Sequence, residues 1–249
     1  NIEIAPNDSM YIFVEVTVDP TNAANPFILE DYIEFITNGN RKVLQLVAWG
    51  QNAIYFTPTT FNRNIPDYTC LTGPCSESLP PVNVTWTPDL PYVIYGYVVV
   101  DSMDVLTINA GTQIHFHSNG GLWVYRGGTL KVNGTKDNPV VFQGDRLEPA
   151  FADRPGQWDR IWINDGGQNS INHAIIKNAY IGLQVEELPF ENPPDNIFGN
   201  LSLKNTIINN CSGYGLLAAL YNIQAENLVI TDCGNYNVLL QSAGNFNFN

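Results

Sequence analysis

Acidic side chains are concentrated in two segments of the chain that could carry chemistry. Residues 144–159 include Asp145 and Asp153, and residues 186–199 include Glu187. Clustered carboxylates can hold Ca²⁺, or they can serve as the acid and the base of glycoside hydrolysis. We therefore take these three residues as candidate catalytic groups and Ca²⁺ as a candidate ion, and we predict no other cofactor.

Neighbouring charges favour a structural role for some of these acidic residues. The pairs Asp145-Arg146 and Asp159-Arg160 are adjacent in sequence, and salt bridges between turn residues explain them better than acid–base chemistry does. The chain contains no GxSxG, P-loop, GxGxxG or HExxH motif, which weakens the common hydrolase, nucleotide-binding and zinc-protease functions. A non-catalytic protein is therefore the favoured prediction.

Aromatic residues form a second group of candidates. Trp123, Tyr125, Trp158 and Trp162 are predicted to bind a ligand, with Tyr180 beside them, because flat rings stack on the apolar faces of sugars. The alternative is that these bulky rings fill core and cap positions. Two of them, Trp123 and Tyr125, have the same parity in the chain, so within one strand they face the same way.

The histidines and the first two cysteines have simple structural interpretations. His115 and His117 share a strand face, which could suit a metal ion, but no neighbouring carboxylate pattern supports one. No metal site is therefore predicted at these histidines. Cys70 and Cys75 bracket the turn sequence Leu-Thr-Gly-Pro, so either a local disulfide or a pair of free thiols is compatible with the sequence.

Charge and composition limit the partners. The net charge is −13, from 24 acidic and 11 basic residues, which argues against nucleic acid and against an anionic membrane surface because both are bound through Lys and Arg. The same balance permits divalent cations and neutral glycans. No stretch approaches the roughly 20 apolar residues of a membrane helix, so no transmembrane segment is predicted. Because the first residue is not Met, we expect a processed or partial chain.

A repeat of 22 residues predicts how the chain folds. The run NTIINNC at residues 205–211 recurs as NLVITDC at residues 227–233, and AIIKNA at residues 174–179 is an earlier copy. This period is typical of one coil of a right-handed parallel β-helix, in which equivalent positions stack at about 4.8 Å. Stacking would place Cys211 and Cys233 one coil apart, as unreactive thiols in an inward ladder rather than as a disulfide.

Each column of equivalent residues has a predicted role. Ile208 and Ile230 are expected to point inward, because inward positions of a narrow coil must be small or aliphatic. Asn178, Asn210 and Asp232 are expected to form a polar ladder at a turn, where each side chain would bond the backbone of the next coil.

The chain as a whole is predicted to be all-β, with three parts. Residues 1–56 are predicted to be the last strands of a small β-sandwich, with a hairpin turn at Asn38-Gly39. Residues 57–91 are rich in proline, which blocks ladder hydrogen bonds, and are predicted to be an irregular connector. Residues 92–249 are predicted to be the β-helix, which we expect to continue beyond residue 249.

Several runs of the chain resemble a known family. These runs are VLQLVAWGQN, PYVIYGYVVVD, LTINAGTQIHFH, PVVFQGDR and PGQWDRI, at residues 43–52, 91–101, 106–117, 139–146 and 155–161. They resemble predicted cell-surface lipoproteins of the Bacteroidetes, in which an immunoglobulin-like domain is followed by a right-handed parallel β-helix of the pectin-lyase type. The resemblance implies an outer-membrane, cell-surface location, a lipid anchor upstream of residue 1, and no established reaction.

Two short triplets add a candidate modification. Asp8-Ser9-Met10 and Asp101-Ser102-Met103 resemble the O-glycosylation motif of that phylum, so Ser9 and Ser102 are candidate acceptors. The favoured alternative is a turn in which Asp and Ser bond the local backbone.

The predicted function is a non-catalytic cell-surface scaffold that binds glycans or partner proteins at the outer membrane. Two alternatives stay open. One is a carbohydrate-active β-helix enzyme, either a polysaccharide lyase or a hydrolase. The other is an accessory subunit of an outer-membrane transport or secretion complex. In all three cases the long insertions between strands are the expected place of function, because insertions in solenoids decorate one face.

Overall fold

The computed structural model describes residues 28–49, 52–75, 80–165, 167–187, 199–242 and 244–249, together with residues 9, 11, 13 and 14. The chain divides into two compact units, residues 1–52 and residues 53–249, and each is described by itself. No helix in the described residues is long and apolar enough to cross a membrane.

The first unit contains one antiparallel hairpin. Strand β1 (Ile28–Thr37) pairs with β2 (Asn40–Trp49), and Thr37 lies opposite Asn40. Asn38 and Gly39 connect them with φ angles of 50° and 79°, which is the left-handed backbone that a two-residue hairpin turn needs. The predicted Asn38-Gly39 turn is therefore confirmed. Most of residues 1–27 lie outside the described residues, and the sandwich stays a prediction.

The second unit is a parallel β-helix built from short strands. Along the chain the strands are β3 (Ile54–Phe56), β4 (Tyr68–Cys70), β5 (Asn83–Trp86), β6 (Tyr92–Ile94), β7 (Tyr97–Val100), β8 (Val105–Asn109), β9 (Gln113–Phe116), β10 (Gly121–Val124), β11 (Thr129–Asn133), β12 (Val140–Gly144), β13 (Trp158–Asn164), β14 (Gln168–Asn172), β15 (Ala174–Lys177), β16 (Ala179–Glu186), β17 (Gly199–Asn209), β18 (Tyr214–Ala219), β19 (Tyr221–Thr231), β20 (Tyr236–Gln241) and β21 (Phe246–Phe248). One turn of 3-10 helix, Pro149–Phe151, lies between β12 and β13.

Three parallel faces run along this helix, and every coil contributes to each of them. Face 1 is formed by β3, β6, β9, β12, β15 and the second halves of β17 and β19. Face 2 is a separate seven-stranded sheet in the order β4, β7, β10, β13, β16, β18, β20. Face 3 is formed by β5, β8, β11, β14, the first halves of β17 and β19, and β21. The described residues thus make seven coils, one for each strand of face 2.

The core consists of columns of aliphatic residues that stack from coil to coil. On face 1 the column includes Phe142, Ile176, Ile208 and Ile230, each paired with the next, and the first three of these are fully buried. The pairing of Ile208 with Ile230 confirms the 22-residue register that the sequence repeat predicted. Cys211, which follows in the same coil, is buried and is a free thiol, and burial raises the pKa of that thiol to about 12.

Asparagines turn the corners between faces. Asn178, Asn210 and Asp232 have φ angles of 63°, 56° and 56°, a conformation that Asn and Asp tolerate better than other residues with side chains. The predicted polar ladder is confirmed between two of its three members, and its bond runs between side chains rather than to backbone, because Asn210 Nδ2 donates to Asn178 Oδ1 at 2.7 Å. The Asp232 side chain instead accepts from the Thr231 hydroxyl at 2.9 Å. A second, unpredicted ladder joins Asn227 Nδ2 to Asn205 Oδ1 at 3.0 Å.

The β-helix begins earlier than the sequence indicated. Strands β3, β4 and β5 pair in parallel with β6, β7 and β8, so they form the first coil. Residues 57–91 are therefore not a connector outside the helix, as was predicted, and residues 53–56 belong to the second unit. The prolines fall before, between and after these strands of three or four residues, where no ladder hydrogen bond is lost.

We expect Ile208→Ala to lower the free energy of unfolding by about 2–5 kcal/mol, because it removes buried methyl groups and leaves a cavity. Ile207→Ala is the matched control, since the Ile207 side chain is 41% exposed and its neighbour Ile208 is fully buried. Urea unfolding followed by circular dichroism measures both changes. Equal losses in the two variants would contradict the inward and outward assignment of this strand.

Candidate functional site

An open groove lies on the outer surface of face 2, at the first three coils. Its volume is about 820 Å³. The outer sides of β4, β7 and β10 supply the floor, where Cys70, Val99 and Trp123 lie side by side in the strand register. The turns that follow β4 and β7 supply the walls. An open surface lined by apolar residues together with a few polar ones is suited to holding a ligand.

A disulfide closes the loop that forms one wall of the groove. Of the two states that the sequence allowed, the structure has Cys70 bonded to Cys75. Cys70 and Gly73 also exchange two backbone hydrogen bonds of 2.9 and 3.1 Å, and Thr69 Oγ1 donates to the Gly73 carbonyl at 2.9 Å. Because the loop is fixed by covalent and hydrogen bonds, the wall is preorganised.

The turn at residues 101–104, which leaves face 2 at the same edge one coil later, also lines the groove. Asp101 Oδ1 accepts a hydrogen bond from the Ser102 backbone at 2.7 Å, which is the local bonding expected of an Asp-Ser turn. Asp104 Oδ1 accepts from the Val82 backbone at 2.8 Å and so ties this wall to the preceding coil. The Ser102 side chain is exposed at the rim of the groove, and Ser9 is also exposed. O-glycosylation of either residue stays a prediction.

The structure brings together three of the four aromatic residues predicted to bind a ligand. Trp123 stacks on Trp162 with ring centroids 4.9 Å apart and an interplanar angle of 13°. Tyr125 meets Trp123 edge-on at 5.4 Å. Because Trp162 covers one face of Trp123, and Trp123 is only 9% exposed, Trp123 forms part of the groove floor rather than a free platform. Tyr125 is half-buried and lines the groove, so it is the better candidate for direct contact.

Trp158 is the fourth aromatic candidate, and its prediction as a ligand-binding residue is wrong. The side chain is 1% exposed and stacks inside the core on Phe116, with ring centroids 4.3 Å apart. Its Nε1 donates to the Lys177 carbonyl at 2.8 Å. The alternative that bulky rings fill core positions therefore holds at this residue.

A polar network extends from the aromatic floor across the next two coils of face 2. Trp123 Nε1 donates to Asn164 at 2.5 Å, and Asn164 Nδ2 donates to Glu186 at 3.0 Å. Glu186 also accepts from Trp162 Nε1 at 2.6 Å and from Gln184 Nε2 at 2.9 Å. The carboxylate of Glu186 thus orients the Trp162 indole directly and the Trp123 indole through Asn164.

The same network continues to an Asp–Arg pair. Arg160 donates to Gln184 and pairs with Asp159 at 2.9 Å, and the Tyr97 hydroxyl donates to Asp159. Burial, followed by the negative charge of Asp159, raises the pKa of Tyr97, so that its hydroxyl keeps its proton. Asp159-Arg160 was predicted to be a turn pair, but it lies within β13, because Trp158 packs in the core and begins the strand there.

Sequence reasoning missed the polar members of this network. Asn164, Gln184 and Glu186 come together because Asn164 pairs with Glu186, and Gln184 with Trp162, across neighbouring strands. Both pairs are 22 residues apart, which is the period recognised in the last coils, so extending that period to β13 and β16 could have found them. The repeat was missed here because its recognised copies lie on face 1, and the residues of face 2 do not share one residue type.

The three predicted catalytic acids do not meet. Asp145 lies in the turn between face 1 and face 2, where its Oδ2 lies 2.7 Å from His117 Nδ1. Asp153 is exposed in the same turn. Glu187 follows β16 at the opposite edge of face 2 and is 8% exposed. Glu186, the other described acidic residue of the second insertion, belongs to the network above, and Glu191 and Asp195 lie outside the described residues. These positions give no pair of carboxylates flanking one bond.

The histidines on β9 and after it have separate environments. His117 is half-exposed, carries the Asp145 contact and stacks against Tyr95 at 4.6 Å. His115 is 2% exposed, and its Nδ1 lies 3.4 Å from the Gly144 carbonyl. Within the described residues no group of three or more His, Cys, Asp or Glu side chains could hold a metal ion.

The fold and the groove define a class: a parallel β-helix with an open groove on the outside of one face. A family model described as a pectate-lyase-like beta helix domain matches residues 78–186, which run from just before β5 to the end of β16. These residues are therefore similar to a pectate-lyase-like beta helix domain, and the parallel β-helix itself is shown by the pairing of the strands. No curated protein and no solved structure shows a significant match.

The buried imidazole of His115 predicts a pH dependence of stability. Burial lowers the pKa of His115 to about 4, below its usual value in an unfolded chain. The unfolded chain then binds more protons between about pH 6.5 and pH 4, so stability falls as the pH falls through this window, by on the order of 3 kcal/mol.

The measurement is urea unfolding of the wild type and of His115→Gln at several pH values between 7 and 4. We expect the loss of stability on acidification to be smaller in the variant, because Gln does not titrate. Parallel curves for the two proteins would show that His115 does not carry the effect.

Proposed function

We propose that the protein is a non-catalytic binding protein that holds an extended, neutral glycan in the groove of face 2. The observation that carries this proposal is the groove itself, about 820 Å³ in volume, which is lined by the disulfide-closed loop after β4 and by the turn after β7. Its floor is apolar and contains Trp123, and Tyr125 lies at its side. Sugars present apolar ring faces and a rim of hydroxyl groups, which match such a surface.

Electrostatics supports a neutral ligand over an acidic one. The described residues that line the groove include Asp101 and Asp104 but no Lys or Arg, and the chain carries a net charge of −13. A polyanion, such as a uronate polymer or a nucleic acid, would need cationic partners at the groove. The hydroxyl groups of a neutral glycan can instead donate hydrogen bonds to carboxylates and backbone carbonyls at the rim.

The positions of the acidic residues support binding without catalysis. Asp145 and Glu187 lie at opposite edges of face 2, and Asp104 is occupied by the Val82 backbone. Asp159 is held by Arg160 and by the Tyr97 hydroxyl. Asp101 and Asp104, which line the groove, each accept a backbone hydrogen bond on one carboxylate oxygen. These bonds hold the two side chains in place as acceptors for the hydroxyl groups of a glycan.

We expect Tyr125→Ala to weaken glycan binding about tenfold, which corresponds to about 1.4 kcal/mol for the loss of one ring contact. The ligand is first found on an array of neutral polysaccharides, and the affinity of each variant is then measured by isothermal titration calorimetry. Tyr180→Ala is the matched control, since Tyr180 is exposed on β16, on face 2 but not in the groove lining.

Three outcomes would contradict the binding proposal. The first is that no polysaccharide on the array is retained, and the second is that both tyrosine variants bind as tightly as the wild type. The third is that the bound polysaccharide is shortened during incubation, as seen by new reducing or unsaturated ends. Shortening would replace binding by the alternative of a polysaccharide hydrolase or lyase.

We also propose that the protein acts outside the cytoplasm, at the cell surface. The Cys70–Cys75 disulfide supports this location, because disulfides persist in oxidising compartments and are rare in the cytosol. Protease treatment of intact cells that carry the native protein is the measurement. We expect the protein to be degraded while a cytoplasmic marker survives, and full protection of the protein would contradict a surface location.

A further inference from the structure

Met103 lies at the groove in a backbone conformation that methionine rarely adopts. It lines the groove in the turn after β7, and the residue is 68% exposed. Its φ angle is 65°, in the left-handed region that is costly for residues with long side chains. Most other described residues with side chains and a positive φ are Asn or Asp. Backbone preference and core packing therefore do not account for a methionine here, whereas contact with a bound ligand does.

The groove around Met103 is more aliphatic than a surface for ring stacking needs to be. Its described lining contains these aliphatic residues and prolines: Ile65, Pro74, Pro80, Pro81, Val82 and Val99. Flat rings stack on the face of a sugar, but aliphatic side chains and prolines form rounded apolar walls. Hydroxyl groups of an unsubstituted sugar would lose water against such walls without gaining hydrogen bonds. A methyl group on the sugar would instead gain affinity by burial.

Two carboxylates supply hydrogen-bond acceptors next to these apolar walls. Asp101 and Asp104 line the groove on either side of Met103 in the same turn. Bonds from the Ser102 and Val82 backbones hold them in place. The described lining contains no Lys or Arg. A ligand that matches this turn therefore combines a methyl group with a nearby N–H or O–H donor and carries no negative charge.

We propose that the glycan held in this groove carries N-acetyl groups, as polymers of N-acetylhexosamines do. The inference rests on the proposed function, because it names the substituent of the glycan that the groove binds. An acetamido group places a methyl group beside an amide N–H and is uncharged. The methyl group contacts Met103 and the aliphatic wall, and the N–H donates to Asp101 or Asp104. Met103 is thus a specificity-determining residue of the groove.

Matched oligosaccharides test this inference on the full chain by isothermal titration calorimetry. Oligomers of chitin and of cellulose share one linkage and differ only in the N-acetyl group at C2. We expect the chitin oligomer to bind at least tenfold more tightly, since one buried methyl group adds roughly fourfold and one hydrogen bond to a charged acceptor roughly tenfold. Glucosamine oligomers, which are cationic and lack the acetyl group, should bind more weakly than the chitin oligomer.

The outcomes separate this inference from the proposed function. Equal or tighter binding of the cellulose or the glucosamine oligomer overturns N-acetyl recognition. So does an array on which every retained glycan lacks N-acetyl groups. In both cases glycan binding by the groove still stands. An array on which no glycan at all is retained defeats the proposed function itself, and the inference with it.

Met103→Asn tests the role of the methionine. Asn tolerates a positive φ, so we expect the Tm of the variant not to fall. Its preference for the chitin over the cellulose oligomer should drop at least about threefold, because the contact with the methyl group is lost. Ser242→Asn is the matched control: Ser242 has a φ angle of 61°, is exposed and follows β20, away from the groove lining. We expect the control to keep the preference of the wild type, and an unchanged preference in Met103→Asn would overturn the assignment of Met103.

Discussion

In-register stacking of parallel coils is the constraint on which the rest of this structure depends. The backbone of each strand is hydrogen-bonded to the equivalent strand of the coil before it and of the coil after it. A residue must therefore be compatible with its equivalents one coil away. Phe142, Ile176 and Ile208 meet this condition by filling the interior. Asn178 and Asn210 meet it at a corner by bonding each other. The outer surface obeys the same rule, since Trp123 stacks on Trp162 because their strands are neighbours.

The parts of the fold that repeat could be predicted from sequence. The spacing between Ile208 and Ile230 gave the register of the last coils, and Asn38-Gly39 gave a hairpin because only certain residues adopt its backbone angles. The first coil was missed because its strands have three or four residues separated by prolines. Pairing with the next coil, rather than local propensity, makes them strands.

The candidate site was less accessible to sequence reasoning, for a physical reason. Trp158 and Trp162 are both tryptophans on β13, yet one packs on Phe116 in the core and the other on Trp123 outside. Residues four apart in a regular strand would face the same side, but a shift in register between Arg160 and Ile161 puts these two on opposite sides. The sequence does not mark that irregularity. Gln184 and Glu186 likewise meet β13 only through the pairing of strands that are distant in sequence.

The corner turns have a consequence for how such a protein can diversify. Residues 145–157 connect β12 to β13, while only residues 117–120 connect the equivalent strands, β9 and β10, one coil earlier. In spite of this difference, β12 still pairs in register with β9, and β13 with β10. Closing a longer loop costs little, about 0.6 kcal/mol for each doubling of its length. Evolution can therefore lengthen or shorten the turns at the corners while the strands stay in place, so the outer surface and the stability of the scaffold can change almost independently.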